Sequence, residues 1–228
     1  LKKSGSFKKT LIVTDSVFSM DGDIAPLPEV VSLAKKHGVM TMIDEAHATG
    51  VLGASGQGAE EHFGMGEKVD VVMGTLSKAL GSMGGFIAGS RSLIDYLINK
   101  SRSFIYTTAL PPAACAAALA SLKLIQEERT ILSKLWMNVD QLKTELKAMK
   151  FNTGDSEAAI IPIIIGDLRK TMALSEYLYD NGIFVSGIRP PTVPKDECRL
   201  RITVMATHSQ DDIEKLTGAL KKWANRSS

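Results

Sequence analysis

Lys78 is the residue whose type and setting offer the most chemistry. It follows a short apolar run and stands in Gly74-Thr75-Leu76-Ser77-Lys78-Ala79-Leu80-Gly81, a loop of small residues that leaves its amine sterically open. A lysine whose surroundings depress its basicity becomes a nucleophile toward carbonyl carbon, which is how Schiff-base lysines work. Most loop lysines are simply solvated, so the residue type alone decides nothing. Asp44 ends a second apolar run. A carboxylate there is costly to bury without a partner, and a protonated pyridine nitrogen is one whose charge it would hold. A helix cap or a plain turn aspartate is the blander reading. His47, three residues on, suits stacking on a ring or bonding to one, although a single histidine is more often structural. Thr75 and Ser77 bring hydroxyls, and the backbone N–H groups around them suit a phosphate.

Rival chemistries lack their parts. Asp44-Glu45-Ala46-His47 spells the DEAH of certain helicases, but the G-x-x-x-x-G-K-[ST] phosphate loop which that chemistry needs is not in the sequence. Nor does it contain a G-x-S-x-G nucleophile elbow, an H-E-x-x-H zinc motif or a C-x-x-C pair. The histidines (His37, His47, His62 and His208) are scattered, so no metal site is expected.

The elements that must position these residues alternate. A near-continuous apolar run at 10–14 reads as a strand buried on both faces, and runs at 39–43 and centred on 71–73 read as a second and third strand. A helix over 28–37 separates the first two, with Pro28 in its first turn and Gly38 at its end. A fourth strand, 86–88, follows the glycines of 81–85. This order predicts a largely parallel α/β sheet, with the site outside the strands' carboxyl ends. Residues 112–149 read as helix broken near Glu128. After them come a strand at 159–165, a helix at 168–181, strands at 183–186 and 199–205, and a last helix capped by Ser209 and Asp212 with Ile213, Leu216, Leu220 and Trp223 on one face.

Composition narrows the classes further. Hydrophobic residues make up 44% and charged residues 23% of the 228, an ordinary globular balance. A net charge of +2 offers nucleic acid no electrostatic footprint. No apolar run reaches the ~20 residues of a membrane span. The two cysteines, Cys115 and Cys198, suggest no disulfide framework, so the cytoplasm is the expected compartment.

Four segments, in order, resemble the α-oxoamine synthases, pyridoxal 5'-phosphate (PLP) enzymes of aminotransferase fold type I. They are Thr14-Asp15-Ser16-Val17-Phe18-Ser19-Met20-Asp21-Gly22-Asp23, then Ile43-Asp44-Glu45-Ala46-His47-Ala48-Thr49-Gly50, then the Lys78 loop. The fourth is Ile188-Arg189-Pro190-Pro191-Thr192-Val193-Pro194 with Arg199-Leu200-Arg201-Ile202-Thr203 after it. The resemblance implies an α/β fold: part of a mostly parallel large-domain sheet with its linking helix over 1–128, then a smaller α+β domain over 129–228. It implies that Lys78 carries the cofactor, Asp44 faces its pyridine nitrogen, and Ser19 and His47 stand beside the ring. Thr75 would hold the phosphate, and Thr107 or Thr108 would reach the phosphate of a neighbouring subunit in a homodimer with shared sites. Arg201 would anchor an amino-acid carboxylate, a task that suits a bidentate guanidinium, with Thr192 on a substrate-side loop. The implied reaction joins an amino acid (alanine or glycine) to an acyl-CoA with loss of carbon dioxide, without metal, nucleic acid or membrane. The family's N-terminal arm, its glycine-rich turn and the residue that stacks on the cofactor are not in this sequence, which begins without Met. A piece of a longer protein is therefore expected, and a folded but inactive fragment is the alternative.

Overall fold

The computed structural model describes residues 7–226. Their contacts divide into two units: the described residues up to Val17 with Ala25–Arg129, and Phe18–Ile24 with the described residues from Thr130 onward.

The first unit is built on a four-stranded sheet in the order β1-β2-β3-β4, comprising β1 (Leu11–Asp15), β2 (Met40–Asp44), β3 (Val71–Thr75) and β4 (Gly85–Gly89). β1, β2 and β3 run parallel, and β4 runs antiparallel to β3. α1 (Leu27–His37) makes the β1–β2 crossover, burying Leu27, Val31 and Ala34 along one stripe. It stops where Gly38 turns left-handed at φ 61° and returns its N–H to the last turn, as the sequence leads one to expect. The register places Asp15 beside Asp44, so two carboxylates end adjacent strands at the same level. β3 and β4 approach closely because position 74 has no side chain: a Cβ there would sit 2.4 Å from the Phe86 ring. Short α2 (Ala59–His62) precedes β3, while α3 (Arg91–Lys100), α4 (Arg102–Ile105) and α5 (Pro112–Glu127) follow β4.

The expectation that 10–14 is buried on both faces is not met. Leu11 and Val13 are 45% and 59% exposed, because alternate residues of β1 lie on a face that the described residues leave uncovered.

The second unit holds a three-stranded antiparallel sheet in the order β5-β7-β6, from β5 (Ile160–Gly166), β6 (Ser186–Ile188) and β7 (Cys198–Thr203). Around it lie α6 (Thr130–Ala148), α7 (Leu168–Asp180) and α8 (Gln210–Arg226). α6 buries Leu132, Leu135, Val139, Leu142 and Leu146 on one stripe. α8 starts at the reciprocal cap read from the sequence: Ser209 Oγ and N–H both meet Asp212 Oδ2, at 2.7 and 2.8 Å, and Asp212 N–H donates to Ser209 Oγ. The strand expected at 183–186 begins instead at Ser186. Ile183 N–H is held by the Leu178 carbonyl in the turn that leaves α7, so the ladder starts three residues later.

Residues 18–24 are pinned within this second unit. The Gly22 carbonyl accepts the Glu157 and Ala158 N–H groups, both at 2.9 Å, and Arg199, 1% exposed, pairs with Asp21 and Glu197.

Candidate active site

In the first unit the carboxyl ends of the parallel strands and the loops leaving them carry the candidate residues. Asp44 is the last residue of β2, and its Oδ1 accepts the Ala46 N–H at 2.7 Å, an Asx turn that orients the carboxylate. The chain then closes a tight turn in which the Ala48 and Thr49 N–H groups both donate to the Glu45 carbonyl. That turn carries His47, whose Nε2 lies 3.0 Å from Lys78 Nζ. Residues 31 apart in sequence are thus brought into hydrogen-bond contact.

The Lys78 loop is short and internally braced. Leu76 N–H donates to the Gly84 carbonyl, Ser82 N–H to Leu76, and Gly81, at φ 58°, to Lys78 itself. Leu80 anchors the loop at 1% exposure while Lys78 stays exposed. Thr75 Oγ1 lies 2.8 Å from Ser77 Oγ and donates to the Gly84 carbonyl, and Ser77 N–H donates back to it. Both hydroxyls of the expected phosphate site are therefore close together at the end of β3.

Asp15 and Glu45 were not singled out from the sequence. Burial pushes the Asp15 carboxyl up, the Asp44 charge pushes it further, and Lys78 opposes both. Glu45 is 2% exposed, and burial pushes it up to about 7 against the bonds it accepts from Ala59 and Ser16. Two apolar runs ending in aspartate, Asp15 and Asp44, were a visible signal for the first; nothing local marked Glu45 as buried.

In the second unit Arg201 is half-buried on β7, and burial holds its guanidinium below its usual value. Its Nε donates to the Ser19 carbonyl at 2.5 Å and its Nη1 to Thr203 Oγ1 at 3.1 Å. Ser19 and Arg201, 182 residues apart, are thus joined within that unit. Thr192 lies on an exposed turn where its N–H donates to the Arg189 carbonyl. Thr107 and Thr108 lie exposed after α4, and no hydrogen bond joins them to the Lys78 group among the described residues.

Comparison with known proteins places this arrangement. The aminotransferase class I and II profile matches residues 1–220. The chain belongs to that family.

Among curated members, the 8-amino-7-oxononanoate synthase of Citrifermentans bemidjiense is 49% identical over 224 residues, covering 97% of this chain and 58% of that protein. That of Symbiobacterium thermophilum is 46% identical over 218 residues, covering 96% and 56%. This aminotransferase-family chain thus spans little more than half the length of the curated relatives it matches. Among solved structures, a high-resolution SPT with PLP internal aldimine superposes with a TM-score of 0.92 at 35% identity, over 99% of this chain and 58% of that one. The Francisella tularensis 8-amino-7-oxononanoate synthase superposes with a TM-score of 0.83 at 29% identity, over 99% and 66%. The fold is therefore the α/β fold of PLP-dependent aminotransferase-type enzymes, and the relatives are α-oxoamine synthases. The donor set of the first unit fits such a cofactor: an exposed amine for its aldehyde, a carboxylate for a ring nitrogen and an imidazole 3.0 Å from the amine.

Proposed function

We propose that this chain carries the cofactor-binding lysine of a PLP-dependent acyltransferase that condenses an amino acid with an acyl-CoA thioester, in the manner of 8-amino-7-oxononanoate synthase. The observation that carries the reading is the Lys78 amine against His47 at the end of the strand that presents Asp44. Identities of 45–50% to the curated synthases support this reaction over those of other family members.

When bound, PLP supplies an electron sink for a carbanion at the amino acid's α-carbon. The chain's own residues supply the rest. Lys78 would hold the cofactor through its amine and would take the substrate's α-proton on Nζ. Asp44 keeps a pyridine nitrogen protonated, with its carboxylate orientation set by the Ala46 N–H. His47 steadies the lysine amine and stands for the ring oxygen, with Ser19. Thr75 serves the phosphate, and Thr107 or Thr108 serves the phosphate of a second subunit in a homodimer. Arg201 pairs with the substrate carboxylate, and Thr192 lines the substrate side. Overall, a bond forms between the α-carbon and the thioester carbonyl carbon, the C–S bond breaks and the CoA thiol leaves. The α-carboxylate departs as carbon dioxide, and a proton takes its place. The two units correspond in this reading to the large and small domains, meeting in sequence near 128–129, and the cytoplasm is the compartment.

The test has two parts. The chain is mixed with PLP, its visible absorbance recorded, and the adduct reduced with borohydride and mapped; the pyridoxyl group is expected on Lys78, and Lys78→Ala is expected to lack the band. A label on any other lysine overturns the assignment, and no band at all makes the chain a folded piece that does not form the site alone. The full-length protein is then assayed with alanine, glycine or serine against pimeloyl, acetyl and palmitoyl thioesters. Alanine with the pimeloyl thioester is the expected pair; preference for glycine with acetyl-CoA makes the protein a glycine C-acetyltransferase instead.

A further inference from the structure

β7 turns two arginines, Arg199 and Arg201, to one face, since alternate residues of a strand share a face. Only Arg201 has a task in the chemistry proposed above. Arg199 is 1% exposed, and its guanidinium is committed within the second unit. Nε donates to the Glu197 carbonyl and Nη2 to Glu197 Oε2, each at 2.9 Å, while Nη1 pairs with Asp21. A buried guanidinium is costly unless its charge is met, so losing one partner is felt by the rest. Asp21, 178 positions away in sequence, is thereby tied to β7.

That ion pair holds the segment which carries Ser19. Residues 18–24 close on themselves: Gly22 N–H donates to the Phe18 carbonyl at 2.8 Å, and Phe18 N–H to the Asp23 carbonyl at 3.0 Å. Position 22 has no room for a side chain, because a Cβ there would run into the Ile160 carbonyl of β5. The neighbourhood is acidic. Asp21, Glu157 and Asp155 all act on Asp23, so the segment meets like charge, and Arg199 is the cation paired with it at Asp21. Two residues before Asp21, the Ser19 carbonyl accepts Arg201 Nε at 2.5 Å.

Arg201 has five N–H hydrogens. Nε is committed to Ser19 and Nη1 gives one hydrogen to Thr203 Oγ1, while no hydrogen bond occupies Nη2 among the described residues. A carboxylate can then be met across Nη1 and Nη2, the end of the fork, but not along the Nε side. We propose that Arg199 and Asp21 are positioning residues for substrate recognition: their ion pair fixes the Ser19 carbonyl, which turns Arg201 so that its Nη1–Nη2 end is left for the carboxylate of the amino acid. This role rests on the proposed role of Arg201.

The test uses the full-length protein with PLP and compares alanine with alaninol, which keeps the amine and methyl group but lacks the carboxylate. Binding of each is read from the visible absorbance. Asp21→Ala is expected to bind alanine roughly tenfold more weakly while alaninol stays within about threefold of wild type, the effect of loosening one charged hydrogen bond. Arg199→Met is expected to show the same split; should it fail to fold, Asp21→Ala, at a half-exposed side chain, still decides. Without PLP, hydrogen exchange at the Phe18 and Gly22 amides is expected to be about tenfold faster in Asp21→Ala than in wild type. Equal weakening of alanine and alaninol, undiminished alanine binding, or unchanged exchange in Asp21→Ala each overturns the proposal. Arg201→Ala separates the two readings. If it keeps the wild-type preference for alanine, the role of Arg201 falls and that of Arg199 with it. If it loses that preference while Asp21→Ala keeps it, only the positioning pair falls.

Discussion

Asp44 and Lys78 illustrate how little a residue's type decides and how much its neighbours do. Asp44 makes the ordinary Asx turn that the bland reading expects, with Ala46 N–H on one oxygen. What separates it from a turn aspartate is its company: Asp15 in register on one side, and the loop of Lys78, whose amine meets His47. Asp44→Asn is expected to leave covalent attachment at Lys78 intact while lowering kcat/KM of the full-length enzyme by a factor on the order of 100 or more, since the ring nitrogen loses the group that keeps it charged. Steady-state kinetics beside the visible spectrum separate the two effects. The four motif segments made Lys78, Asp44, His47 and Thr75 legible from the sequence. Ser16 and Glu45 were not, because their significance lies in burial against residues up to 28 positions away.

At the scale of elements, the caps were legible and the ladders less so. Ser209 with Asp212 at α8 and Gly38 after α1 act through neighbours within four residues, so a local pattern suffices. The start of β6 depends on how the turn after α7 spends the Ile183 N–H, and α3 buries no residue that would mark it as part of a core. Two substitutions probe this level. Asp167 caps α7 by accepting the Lys170 N–H at 2.8 Å, and Asp167→Ala is expected to cost about 1 kcal/mol in denaturant unfolding. Gly58→Ala meets both a φ of 111° and the Glu45 carboxyl, and is expected to cost about 1–3 kcal/mol or more in the same measurement.

For the whole molecule, the raised carboxyls set the direction of the pH dependence. Asp15, Asp23 and Glu45 are all raised, chiefly by burial, so the folded form holds their protons more tightly than the unfolded chain does. Their stabilisation is full below the unfolded carboxyl values of about 4 and is lost as pH rises through the folded ones, for Glu45 about 7. Glu61 runs the other way. Desolvation pushes it up, but bonds from Gln57 and Ser55 hold it low overall, so its contribution fades only in acid. Melting temperature is therefore expected to fall between about pH 5 and pH 8. At the same scale, if the proposed homodimer shares its sites, mixing full-length Lys78→Ala with a Thr107→Ala, Thr108→Ala double variant is expected to restore part of the activity that each lacks alone. Failure of mixed subunits to recover any activity would remove the two threonines from the site.

Sequence by itself determined the α/β class, the apolar runs that become β1, β2 and β3, the strand end at Asp44 and the loop on which Lys78 stands, because periodicity and turn chemistry act over a few residues. Tertiary structure alone decided that Lys78 meets His47, that Asp15 stands level with Asp44, and that Arg201 takes the carbonyl of Ser19. It also decided that Leu11 and Val13 face outward and that Glu45 is buried. These depend on strand register and on which faces find cover, and both are set by contacts between segments far apart in the chain.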